Sequence, residues 1–276
     1  MKTKLILLLS ILLVFWLTSC KKNTTEIDYN PDVLSAKDYI RAEDAMMEIF
    51  NAFFKGIHDT LVANHGYGLI DNCSVTYYPA DTTMTFGYGD VNRYCSDNKR
   101  RRGLFRADFT GPVFDEGVTA YLQTDSLFVD DSLVEAQIEI KNLGVNGDDL
   151  PEYSFKVISS SVSAQDTNKV NKIMIQTDFT FTWTSGFLSP EIHEDDTLYI
   201  TGWASGISCD LYNFSISIRE PLMNYLDCYW IAKGISDITV PLATWPTGTI
   251  DYISGDFCNN EIHFYFNENL FYDVLK

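Results

Sequence analysis

The sequence predicts a mainly β protein: one large curved antiparallel sheet, or an open barrel, of about eleven strands with a single N-terminal amphipathic helix packed on it. Three observations predict this class. Apolar residues recur with period two over most of the chain, and a single stretch shows a helical period. Aromatic residues make up 14% of the chain, with 16 Tyr and 18 Phe, which favours packed strands over disorder. At 276 residues the chain is long enough to bury the core of one large β domain.

Residues 1–19 read as an export signal that is removed. Lys2 and Lys4 form a basic start, and an apolar run follows from Leu5 to Trp16. That run is shorter than the ~20 apolar residues needed to span a bilayer. It ends in Leu17-Thr18-Ser19-Cys20, which resembles the lipobox of bacterial lipoproteins. The resemblance implies cleavage before Cys20 and diacylglycerol and palmitate on that residue. An ordinary secretory signal prefers a small residue where Leu17 stands. Two or more acyl chains hold a protein stably at a membrane.

Residues 20–34, the lipidated Cys20 and a polar stretch through Pro31, are expected to form a tether. A single β-rich domain then occupies 35–276, with a helix over 36–64 and the sheet over 73–267. Ser35 is the expected helix start, with Asp38 as a capping-box-like partner three residues on. Ile40, Met47, Phe50, Phe54, Ile57 and Leu61 recur at helical spacings and form one apolar stripe suited to packing on the sheet. Asp38, Glu43, Glu48 and Asp59 should oppose an anionic bilayer.

After Gly68 the period changes to two. Ile173, Ile175, Phe179, Phe181 and Trp183 alternate with polar residues, as do Tyr212, Phe214, Ile216 and Ile218, and Ala136, Ile138 and Ile140. About eleven such segments lie between Thr82 and Asn267, divided by turn signals such as Asn146-Gly147 and Ser189-Pro190. There is also an internal echo: Thr85-Phe86-Gly87-Tyr88-Gly89-Asp90 followed by Cys95 matches Thr249-Ile250-Asp251-Tyr252 followed by Gly255-Asp256 and Cys258. Two hairpins with like turns suggest two related halves of one sheet.

With Arg101-Arg102-Gly103, Asp108-Phe109-Thr110-Gly111, Thr182-Trp183, Ile200-Thr201-Gly202, Pro221-Leu222 and the run from Cys228 to Gly234, these hairpins resemble a family of β-rich envelope lipoproteins of Gram-negative bacteria. The likeness runs from Ser35 to Asn267. It departs at the inserted Val91-Asn92-Arg93-Tyr94 and at Asn259, where Asp is the family's residue. The resemblance implies fold and an outer-membrane location, on the periplasmic or the outer side, and implies no chemistry.

A net charge of −18 argues against nucleic acid, whose phosphates reward Lys and Arg. Six cysteines become five once Cys20 is lipidated, and spacing does not decide their pairing. Cys73–Cys95 and Cys228–Cys258 are the expected local disulfides, with Cys209 left over. No metal or cofactor is expected, since zinc spacings and the spaced aspartates of a calcium loop are absent, although Asp130-Asp131 and Asp148-Asp149 offer oxygens. For an enzyme the least arbitrary carboxylates are Asp90 with Asp256, whose ordinary role in turns is to cap backbone, and Glu194-Asp195-Asp196 beside His193, read as a solvated loop. Lys99-Arg100-Arg101-Arg102 reads as a solvated hairpin edge. Four tryptophans could stack on sugars, but Trp183 falls in phase with a buried face. The expected function is a non-enzymatic binding or structural module held at the membrane, its partner a glycan, an envelope protein or a lipid. The alternatives are a carrier of a hydrophobic ligand in the concave sheet and, less favoured, a carbohydrate-active enzyme.

Overall fold

The computed structural model describes residues 30–163, 171–228, 230–253, 258 and 260–274. Cys20 and Asp256 lie outside the described residues.

The first element, α1, is Pro31–His58. It begins inside the expected tether and ahead of Ser35, because Pro31 carries the fixed φ of a first helical turn and lacks only a donor that would go unused there. Ser35 is instead an interior residue whose hydroxyl donates back to the Pro31 carbonyl at 2.6 Å. The helix also stops earlier than expected. At Asp59 the backbone is extended, and the Asp59 carboxylate accepts from Val62 N–H at 2.8 Å to start a short α2, Thr60–His65. Gly66, at φ 76°, closes α2 in the left-handed region that favours glycine.

Among the described residues fourteen strands follow: β1 Tyr67–Ile70, β2 Cys73–Tyr78, β3 Thr83–Tyr94, β4 Arg100–Phe109, β5 Thr119–Val129, β6 Ser132–Val145 and β7 Pro151–Ser163. The others are β8 Lys172–Ser185, β9 Thr197–Ile207, β10 Asn213–Tyr225, β11 Ile231–Thr239, β12 Thr247–Tyr252, β13 Glu261–Phe266 and β14 Asn269–Val274. They form one antiparallel sheet in strict sequence order, open because β1 and β14 do not pair. Strands β3–β13 account for eleven; the count rises to fourteen with β1 and β2 before them and β14 after. β1 is too short to show a period. β14 follows the two-residue turn Asn267-Glu268, both residues at positive φ, a hairpin geometry for which Asn-Gly is the usual signal. Asp71-Asn72 and Asp130-Asp131 make the same turn.

A helix lying on a flat sheet buries about one stripe. Here α1 buries residues on every side, including Asp32, Ser35, Asp38 and Glu43. It touches β1, β7, β8, β12 and β13, strands from both ends and the middle of the order. The sheet therefore curls round the helix, which fills the concave face. Phe50 stacks on Phe181 with centroids 4.1 Å apart and meets Phe155 edge-on at 5.6 Å. Phe54 meets Trp183 edge-on at 4.9 Å, so Trp183 is a core residue. A Cβ on Gly56 would stand 2.3 Å from the Phe86 ring, which is why the helix can approach β3 only with glycine there.

Candidate functional site

The polar residues of α1 mark where chemistry could reside, since burying a charge without a partner is strongly unfavourable. Asp44 and Glu48, one turn apart, face the hairpin between β3 and β4. There the period-two geometry of Lys99-Arg100-Arg101-Arg102 sends alternate residues to opposite faces. Lys99 and Arg101 point inward and are buried, at 2% and 3% exposure. Lys99 Nζ donates to both Asp44 oxygens at 2.9 and 2.7 Å and to Glu48 Oε1 at 2.8 Å, and lies 4.3 Å from the centre of the Trp230 ring. Arg101 joins Glu48 to Asp97. Arg100 and Arg102 face outward and pair with Asp131, and Asp130 accepts from Arg100 N–H at 2.9 Å. The basic run is thus half a solvated edge and half a buried seam, and Asp130-Asp131 serves as a turn that pairs arginines.

Burial alone would pull the Lys99 ammonium down, but Asp44 and Glu48 outweigh it and hold Lys99 above its ordinary range. Burial pushes the Asp44 carboxyl up, opposed by Lys99. A second junction lies one turn earlier. The Tyr39 and Tyr252 hydroxyls both donate to buried Glu43, tying α1 to β12. Burial pushes Glu43 up to about 7 even against these donors. Further toward the N-terminus, Asp38 accepts from Cys209 N–H at 2.8 Å, and Asp32 accepts from Trp245 N–H at 2.9 Å.

Of the enzyme candidates, Asp90 is exposed beside a bulge in β3. The His193-Glu194-Asp195-Asp196 run is not wholly solvated. His193–Asp195 form one 3-10 turn, and the Asp196 carboxylate is buried, accepting from Trp183 Nε1 at 2.9 Å with His193 Nδ1 at 3.0 Å. Asp196 fastens this loop to the core through Trp183. His58, packed against Trp183 with its Nε2 buried and unbonded, is pulled down to about 4 by burial and by nearby His193, so it is a neutral core ring.

Of the expected disulfides, Cys228–Cys258 is present, with Cα atoms 5.3 Å apart. The Cys73–Cys95 bridge is not: both are buried thiols. Burial pushes the Cys73 thiol up to about 12. Cys73 and Cys95 should therefore react with a thiol reagent such as Ellman's only after denaturation. Rapid modification of the native protein would contradict this burial.

Asp71, Cys95 and Asp97 hold an oxygen, a sulfur and an oxygen within 4.8 Å of one another, the spacing of a metal set. Arg101 already neutralises Asp97, Asp71 accepts from Ser96 N–H at 2.7 Å, and burial keeps the Cys95 thiol protonated. The trio is a hydrogen-bonded junction.

Two hollows remain. Where the sheet stands off the first turns of α1 there is a cavity of about 220 Å³ backed by the Asp44–Lys99 pair. On the outer surface of β7–β10 lies an open trough of about 430 Å³, whose walls include Met174, Gln176, Gly206 and Ile207. Among the tryptophans described, Trp203 on β9 is the most exposed, at 50%. Trp230 covers Lys99, and Trp245 packs near Phe271.

No family model, curated protein or solved structure matches the chain. The site must be read from its own geometry. That geometry binds the chain to itself: the carboxylates of α1 are satisfied from the β3–β4 hairpin, from β12 and from the loops that hold Cys209 and Trp245. The sequence alone gives Asp38, Glu43 and Glu48 as charges that oppose an anionic bilayer and offers no partner for them in the sheet. The i, i+4 pairs Tyr39/Glu43 and Asp44/Glu48, opposite a basic hairpin of alternating direction, were the signal that could have located the seam.

Proposed function

We propose that this chain is a lipoprotein of the outer membrane of a Gram-negative bacterium, anchored through lipid on Cys20, and that its β domain is a non-enzymatic binding or structural module. Leu17-Thr18-Ser19-Cys20 after a short apolar run supports the anchor. One observation carries the second half of the reading: α1 occupies the concave face and its buried acids hold the sheet round it. A carrier of a large hydrophobic ligand would want that face empty, and an enzyme of the glycosidase class would want two carboxylates facing a cleft. A module that displays its outer face to a glycan, an envelope protein or a lipid needs neither.

The test is metabolic labelling with an alkynyl palmitate in a Gram-negative host expressing the full chain, followed by separation of inner and outer membranes. The wild-type chain should carry label and sediment with the outer membrane. Cys20→Ala should lose the label and leave that fraction. Label retained by Cys20→Ala, or absent from the wild type, would refute the anchor.

A further inference from the structure

We infer that the cavity at the start of α1 is a binding site for a short alkyl carboxylate, with its carboxylate on Lys37 and Arg41 and its tail inside. The cavity lies between one face of the helix and the ends of β5 to β8. One wall is apolar, with Val129, Val134, Val162 and Ile173 all buried, and Ser132, Ser163 and the Asp44–Lys99 pair complete the lining. Its volume of about 220 Å³ matches roughly seven groups of the ~30 Å³ that a water occupies in the liquid. That is the size of a short alkyl chain, not of a diacyl lipid.

The sign of the headgroup follows from which charges are already satisfied. Three acids also line the cavity. Asp44 holds Lys99 with both oxygens, Asp130 accepts from Arg100 N–H, and Asp273 stands 3.8 Å from Lys37. The cations at the mouth are in a different state. Lys37 and Arg41 sit one turn apart on α1, with 29% and 43% of their side chains exposed. Their nearest acids are at 3.8 and 3.6 Å, beyond hydrogen-bond distance. An ammonium and a guanidinium together present eight N–H donors, and a carboxylate takes two or three of them with good geometry. The unspent capacity at the mouth is that of donors, so the complementary head is an anion.

The inference names a ligand for the module proposed above but does not depend on the lipid anchor. Palmitate labelling reads the anchor, and carboxylate binding reads the cavity. The test is equilibrium dialysis of the full chain in a nonionic detergent against labelled octanoate, with protein-free micelles subtracted. Saturation at one octanoate per chain is expected. From butanoate to octanoate each methylene should tighten binding about three- to fourfold, and the gain should stop once the cavity is full. Octylamine should not displace octanoate. The Lys37→Ala/Arg41→Ala double variant should bind at least about tenfold more weakly. Val162→Phe, which fills the hollow, should abolish binding while Cys73 stays protected from thiol reagent. Affinity climbing without a break to dodecanoate, equal competition by octylamine, or unchanged binding by the double variant would each overturn the assignment.

Discussion

Lys99→Met should destabilise the fold by about 3–5 kcal/mol, the range found when one partner of a buried ion pair is removed and the other stays charged. The side chain would fit, since methionine fills a similar volume beside Trp230. What is lost is the ammonium that both Asp44 oxygens and Glu48 Oε1 accept from. Glu48 keeps Arg101, while Asp44 keeps no cation at hydrogen-bond distance among the described residues. Adding Asp44→Asn to Lys99→Met should therefore recover a large part of the loss. Arg100→Met, the next residue along but outward-facing at 38% side-chain exposure, should move stability by no more than about 0.5 kcal/mol. Urea unfolding of the three variants checks this. A Lys99→Met midpoint equal to that of wild type would mean that the seam contributes nothing to stability.

Glu43 should make the protein less stable as pH rises, the reverse of the usual carboxylate. Its folded-state value is up to about 7, against an ordinary 4.5, so the folded chain holds the proton more tightly than the unfolded chain. Its stabilising contribution is complete below about pH 4.5 and falls away as pH climbs to about 7, a change of about 3 kcal/mol at ~1.4 kcal/mol per pH unit. Asp44, also pushed up by burial, adds a slope of the same sign. Glu43→Gln keeps a carbonyl oxygen for one tyrosine hydroxyl and never ionises. Denaturation at pH 5 and pH 8 should find the variant about 1–3 kcal/mol more stable than wild type at the higher pH, with a shallower slope between them. An unchanged slope would show that Glu43 is not the group responsible.

The strands were legible because a sheet with one buried face writes its period directly into the chain. In β8 the alternation from Ile173 to Trp183 coincides with the observed burial residue by residue. In β6, Ala136, Ile138 and Ile140 are buried as their spacing requires. The helix was legible as an element, through Phe50, Phe54 and Ile57, but its surroundings were not. A one-dimensional period identifies the apolar stripe and assigns everything else to solvent. It has no way to register that a second part of the sheet returns to cover the polar side, so the burial of Asp38 and Glu43 leaves no mark in it. The Lys99–Arg102 run failed for the same reason, because a run of four cations hides its own alternation. The Cys73–Cys95 pairing failed because nearness in sequence along a hairpin does not by itself join two thiols.

The order of the sheet bears on how the chain folds as it is delivered N-terminus first. Strict sequence order means that each new strand pairs with the one just delivered, so loop closure stays short and cheap in entropy for nearly the whole sheet. The helix, delivered earliest, acts as the former on which successive strands are wound. The long-range fastenings arrive late: Tyr252 reaches Glu43 across 209 residues and Trp245 N–H reaches Asp32 across 213. Until β12 is out, the aromatic side of α1 is covered while its Glu43 face is open. A chain truncated before Trp245 would therefore be a wound but unfastened sheet, held in a collapsed state that degradation can recognise.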